Sequence, residues 1–111
     1  MSTHVLDLVS GRPAPGMRVV LRRLSPGPEL TASAVTNADG RTDAPLLQGP
    51  EMKAGTYQLE FHVGDYFGQK AAGSVPFLGV VPVRFVVADP SASYHVPLLV
   101  TPWAYNTYRG S

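Results

Sequence analysis

The chain contains no cysteine. That removes disulfides, thiolate nucleophiles and cysteine-based zinc sites, and it leaves the redox environment open. Long apolar runs are missing as well. The longest fall far below the roughly 18 residues that a membrane-spanning helix needs. Met1-Ser2-Thr3-His4-Val5-Leu6-Asp7 has no basic stretch followed by an apolar one, so no secretory signal is expected, and a cytoplasmic protein is the default. Charge is sparse, at 15% of residues with a net value of +1, and Arg22-Arg23 is the only adjacent basic pair. This balance predicts no nucleic-acid partner and no attraction to an anionic membrane. No Gly-x-Ser-x-Gly elbow, phosphate loop or dinucleotide fingerprint occurs. The few carboxylates are not paired along the chain, so acid–base work by twin Asp or Glu has no support.

What is present reads as strands and turns. The 111 residues suffice for one core and not for two, so a single domain over 1–111 is expected. Glycine and proline, 11 of each, fall between short apolar runs. From Met17 to Arg23, Met17, Val19 and Leu21 point one way and Arg18, Val20 and Arg22 the other. Tyr57, Leu59, Phe61 and Val63 alternate more cleanly with Gln58, Glu60 and His62. Val80 to Val87 is β-branched and aromatic on both faces, which predicts a strand covered on two sides. Tyr94 to Thr101 and Tyr105 to Tyr108 supply two more strands. Gly11 to Gly16, Ser25-Pro26-Gly27-Pro28 and Asn37-Ala38-Asp39-Gly40 have turn chemistry. One short helix fits Asp65 to Ala72, with Asp65 as its N-cap. The spacing predicts an all-β sandwich.

Such a scaffold carries no chemistry of its own, so particular side chains have to be weighed. Histidine, the side chain best suited to proton transfer near neutral pH, occurs three times. His62 shares a face with Gln58 and Glu60, which predicts a solvated surface residue. His4 lies among Leu6 and Leu8, and His95 among Leu99 and Thr101; each can be a structural residue or a functional one. The three are far apart, with no pair spaced to ligate from one element, so no metal is expected. Aligning Gly40 with the glycine of a calcium loop puts Val35 and Leu46 at ligand positions, which excludes that reading. The end of the chain, Pro102 to Ser111, is rich in Trp, Tyr and Arg where ends are commonly small and polar. It is either a docked segment facing a ligand or partner, or a last strand that merely packs.

Several segments together resemble a known family. Tyr94-His95-Val96-Pro97-Leu98-Leu99-Val100-Thr101-Pro102 and the terminal Tyr108-Arg109-Gly110-Ser111 are similar to the signature of the 5-hydroxyisourate hydrolases, which are transthyretin-like enzymes. Thr3-His4-Val5-Leu6-Asp7 and Thr36-Asn37-Ala38-Asp39-Gly40-Arg41 resemble that family's other two blocks. Gly55-Thr56-Tyr57 through Phe61 and Asp65-Tyr66-Phe67 fit its middle. The likeness runs the length of the chain, in order.

The resemblance implies a transthyretin-like (prealbumin-like) sandwich of two four-stranded sheets with one short helix. It implies a homotetramer, a dimer of dimers, with sites in the channel between dimers built from more than one subunit. Carried over by position, His4, Arg41, His95 and Ser111 are the catalytic residues. Arg41, Tyr108, Arg109 and Gly110 bind substrate. The implied substrate is a planar oxidised purine, and the reaction is hydrolysis of one ring amide without cofactor or metal. His95 would carry the main proton transfer with His4 assisting, and Arg41 would clamp developing negative charge. Ser111, through hydroxyl or carboxylate, would orient the water or hold a histidine. Ser93 departs from the family pattern where a further histidine is common, as do Trp103, Asn106 and the stretch Phe77 to Pro82. The alternative within the same fold is a carrier of small hydrophobic ligands.

Overall fold

Period-2 alternation builds nearly everything in the computed structural model, which describes residues 1–27, 29, 31–70 and 76–110. Eight strands form: β1 (Ser2–Asp7), β2 (Arg12–Pro13), β3 (Arg18–Ser25), β4 (Thr31–Val35), β5 (Gly55–His62), β6 (Val80–Val87), β7 (His95–Val100) and β8 (Tyr105–Thr107). The helix α1 (Val63–Lys70) follows β5 without a break. The strands make two four-stranded sheets, ordered β2-β1-β7-β8 and β4-β3-β5-β6. The expected sandwich with one short helix is therefore what the chain forms. No described helix is long and apolar enough to cross a membrane.

The core lies between the sheets. Val5, Val96, Leu98 and Val100 face inward from the first sheet. Val19, Leu21, Tyr57, Leu59, Phe61, Val81, Val83 and Val87 meet them from the second. Each such aliphatic or aromatic side chain taken from water is worth about 1.5–3 kcal/mol. The inward row of β5 is wholly buried, as its alternation predicts. One polar pair is built into this interior. Tyr66 of α1 donates a 2.7 Å hydrogen bond to the Asp7 carboxylate, which also accepts from the Val9 and Ser10 amides. Burial raises the Asp7 carboxyl, but these donors outweigh it and hold it below its ordinary value. They pin the end of β1 to the helix.

Several expectations need correction. β6 is not covered on both faces: Val80 is 49% and Val86 65% exposed. Among the described residues it pairs with β5 alone, at the edge of its sheet, and Val80, Pro82, Arg84 and Val86 point away from the core. Val63 opens α1 instead of closing β5, so Asp65 sits in the first turn and is no N-cap. The expected helix end at Ala71 and Ala72 lies outside the described residues. Met17 packs inward just before β3 begins. His62 is half-buried, not freely solvated, and its Nδ1 lies 3.7 Å from Asp65. The strands Ser2–Asp7 and Thr31–Val35 have no counterpart among the expected strands, and Arg12–Pro13 pairs with β1 inside the stretch expected to be a turn.

Candidate active site

Only one pair of strands runs parallel among the described residues, and that pair places the histidines. β1 and β7 align Ser2 with His95, His4 with Pro97 and Leu6 with Leu99. Thr3, Val5 and Asp7 are buried toward the core, so Ser2, His4 and Leu6 face outward. Residues paired in register share a face, so His95 stands on that same outer surface. His4 and His95, 91 positions apart, are thus brought onto one wall.

Arg41 arrives from the turn after β4. Asn37 closes this turn: its side-chain oxygen accepts from the Asp39 and Arg41 amides, and its own amide donates to the Arg41 carbonyl. Gly40 docks the turn on β1, its carbonyl accepting from the Val5 amide at 2.8 Å. Its φ of 73° suits glycine, and a β-carbon there would drive into the Val5 carbonyl. The residue after Gly40 is thereby held beside the strand that carries His4. Among the described residues the Arg41 guanidinium has no hydrogen-bond or ion-pair partner.

Arg41, Ser2 and His95 line one open groove of about 900 Å³, together with Met1, Leu47 and Tyr94. His4 is not among the groove's lining residues, yet its charge acts on His95. Burial first, then repulsion from Arg41 and from His4, lowers the pKa of His95 from its ordinary value of 6.5. The imidazole is therefore held neutral more readily than a free one. Its Nδ1 lies 2.8 Å from the Ser2 hydroxyl, and its Nε2 has no partner among the described residues. Ser2 was not among the candidates named from the sequence.

The terminal segment divides. Gly110 pairs with His95, its amide donating to the His95 carbonyl at 2.7 Å. It also presses on the ring: a β-carbon at Gly110 would sit 2.5 Å from His95 Cδ2 and 3.2 Å from Cγ. Tyr108 and Arg109 do not join the groove. They line a second hollow of about 260 Å³ with Val86, Tyr94, Val96 and Thr107. Arg109 lies 4.4 Å above the Tyr94 ring and donates to the Ser93 carbonyl at 3.2 Å. Ser111 lies outside the described residues. Ser93 lines the main groove, whereas Trp103, 71% exposed, follows the far end of β7. Among the described residues no three His, Asp or Glu side chains gather as a metal ion would require.

A two-sheet sandwich with histidine and arginine gathered at the outer wall of one sheet defines a transthyretin-like protein. The sequence model of the HIUase/Transthyretin family matches residues 1–110, and the chain belongs to that family. The 5-hydroxyisourate hydrolase of Deinococcus radiodurans is 56% identical over 113 aligned residues, covering 100% of this chain and 95% of that one. Among solved structures, the 5-hydroxyisourate hydrolase of Klebsiella pneumoniae superposes with a TM-score of 0.81 at 36% identity, over 99% of this chain and 96% of that one. A crystal structure of (S)-allantoin synthase superposes with a TM-score of 0.91 at 45% identity. That match takes in 99% of this chain but 43% of the other, so this chain spans less than half of that protein.

Proposed function

We propose that this protein hydrolyses a ring amide of 5-hydroxyisourate, giving 2-oxo-4-hydroxy-4-carboxy-5-ureidoimidazoline, with His95, Arg41 and His4 as the working groups. The observation that carries the reading is the Arg41 guanidinium, without a partner among the described residues, lining the same groove as the His95 imidazole, whose Nε2 is open and whose pKa is lowered. Kinship with hydrolases of that name over the full chain supplies the substrate class.

The reaction follows from these groups. A water loses a proton to His95 Nε2 while its oxygen bonds to the ring carbonyl carbon. The carbonyl oxygen takes up the negative charge, and Arg41 stabilises it through a fixed fork of donors. The carbon–nitrogen bond then breaks, and the imidazolium returns its proton to the departing nitrogen. Repulsion from Arg41 and His4 disfavours the protonated imidazole. Gly110 supports the ring from the terminal segment. Tyr108 and Arg109 belong to the site through contacts across a homotetramer, a dimer of dimers, whose channel faces the outer wall of the β2-β1-β7-β8 sheet. Sedimentation that gave only monomer at micromolar concentration would remove that shared channel.

The test is to generate 5-hydroxyisourate in the cuvette from urate and urate oxidase and to follow its ultraviolet absorbance. Decay that accelerates in proportion to added protein supports the hydrolase. Decay at the spontaneous rate refutes it and favours a carrier of small ligands.

A further inference from the structure

We propose that Ser2 is a positioning residue for His95: its hydroxyl oxygen accepts the imidazole Nδ1–H, leaving Nε2 unprotonated for a molecule in the groove. The inference rests on the proton-transfer role of His95 given above and goes beyond it by naming what sets the ring's tautomer. In a neutral imidazole one nitrogen carries hydrogen and the other a lone pair, and the partner of one decides the state of the other. Ser2 supplies the one hydrogen-bond partner that the described residues give the ring, at 2.8 Å.

The serine is itself held in place. Parallel pairing puts it directly beside His95, and its amide donates to the Tyr94 carbonyl at 3.0 Å. Its β-carbon therefore starts from a fixed point on the outer wall. Gly110 closes against the ring carbons from the other strand neighbour. Between them, a hydroxyl at one nitrogen and a backbone against the ring leave the imidazole little freedom. Orientation of this kind matters because general-base catalysis depends on the correct nitrogen being within reach of the proton.

Two charged or titratable groups act on the ring directly, and two more lie in the segments next to it. Arg41 from the turn after β4 and His4 on β1 repel its protonated form; the amino-terminal Met1 lines the same groove, and Arg109 lies in the separate hollow beside Tyr94. The guanidinium groups of Arg41 and Arg109 have no acceptor, the amino terminus donates to the Leu47 carbonyl, and among the described residues the Ser2 oxygen alone is bonded to Nδ1. A hydroxyl also accepts more strongly from an imidazolium than from a neutral ring. Its loss should therefore ease deprotonation and move the acid limb of the activity profile to lower pH.

The test combines side-chain ¹⁵N spectra of the intact protein without substrate and steady-state rates for Ser2→Ala and Ser2→Thr. The wild-type spectrum should show His95 protonated at Nδ1 and bare at Nε2. Ser2→Ala should give mixed tautomers, a kcat lowered about tenfold as its share of the general-base effect, little change in KM and the shifted acid limb. Ser2→Thr keeps the hydroxyl and should restore both spectrum and rate. A wild-type ring protonated at Nε2 overturns the proposal. So does a Ser2→Ala protein in which rate and tautomer do not change together. His95→Ala separates the two levels: if it stays active, the role of His95 fails, and if it is dead while Ser2→Ala is normal, only the role of Ser2 fails.

Discussion

The two sheets present outer faces of opposite character. On the β4-β3-β5-β6 sheet, the charged and amide groups satisfy one another. Arg22 bonds Glu60 at 3.0 Å and Glu29 at 3.1 Å. Gln58 donates to Glu60 and accepts from Arg84. At the outer wall of the β2-β1-β7-β8 sheet, the charged and imidazole groups lack such partners among the described residues. Arg41 has no partner, His4 makes no hydrogen bond, and His95 is engaged at one nitrogen alone among the described residues. Paired charges on an exposed strand face act as a solvated surface and contribute little. Unpaired donors beside a neutral base keep their capacity for a ligand, and that is where the chemistry belongs. The number of charges does not distinguish the faces; how they are partnered does.

Breaking the second face should have the largest effects. His95→Ala is expected to lower turnover roughly 100- to 10,000-fold, the usual worth of a placed general acid–base. Its melting curve and sedimentation should match wild type, because the ring stands outside the core. Arg41→Ala is expected to cost on the order of 100- to 1,000-fold in kcat, as for loss of one oxyanion donor. Gly110→Ala sharpens the comparison without deleting any functional group. Its added β-carbon would collide with His95 Cδ2, and a displacement of about 1 Å at a reacting group can cost up to about 100-fold. Normal kinetics in that variant would mean that the ring's position is not set by the terminal segment.

The smallest effect concerns pH. The shift on His95 is downward, with burial the main cause and Arg41 and His4 adding to it. A base must be neutral to work, so a lowered pKa extends activity to more acid conditions. The acid limb of kcat/KM should therefore fall below pH 6.5, the ordinary histidine value. Arg41→Ala should raise it toward that value by removing a repelling charge. A limb above 6.5 in the wild-type protein would contradict the electrostatics described for the groove.

How much of this was legible in the sequence depended on the kind of information needed. Alternation exposed β5 clearly, because Tyr57, Leu59 and Phe61 are all large and all buried. It missed β4, where Thr31-Ala32-Ser33-Ala34-Val35 offers little contrast between faces. It overestimated the cover on β6, since β-branched residues suit an exposed edge strand as well as a buried one. The histidines could be assigned to faces but not to each other. Periodicity says which side a residue takes and nothing about which strand lies alongside, so the parallel pairing of β1 with β7 was invisible. That pairing is why Ser2 was overlooked while His4, Arg41 and His95 were identified through family likeness. The Asn37–Gly40 turn was readable as a turn, but its docking on Val5 was not.

The central claim is that the unpartnered groups of one sheet carry the hydrolysis and the paired charges of the other do not. Its most direct test is the ultraviolet decay of freshly generated 5-hydroxyisourate in parallel cuvettes containing wild-type protein, Arg41→Ala or Arg22→Ala. Decay as fast with Arg22→Ala as with wild type, and close to the spontaneous rate with Arg41→Ala, is the result this account predicts. Equal decay in all three cuvettes, or a loss confined to Arg22→Ala, would contradict it.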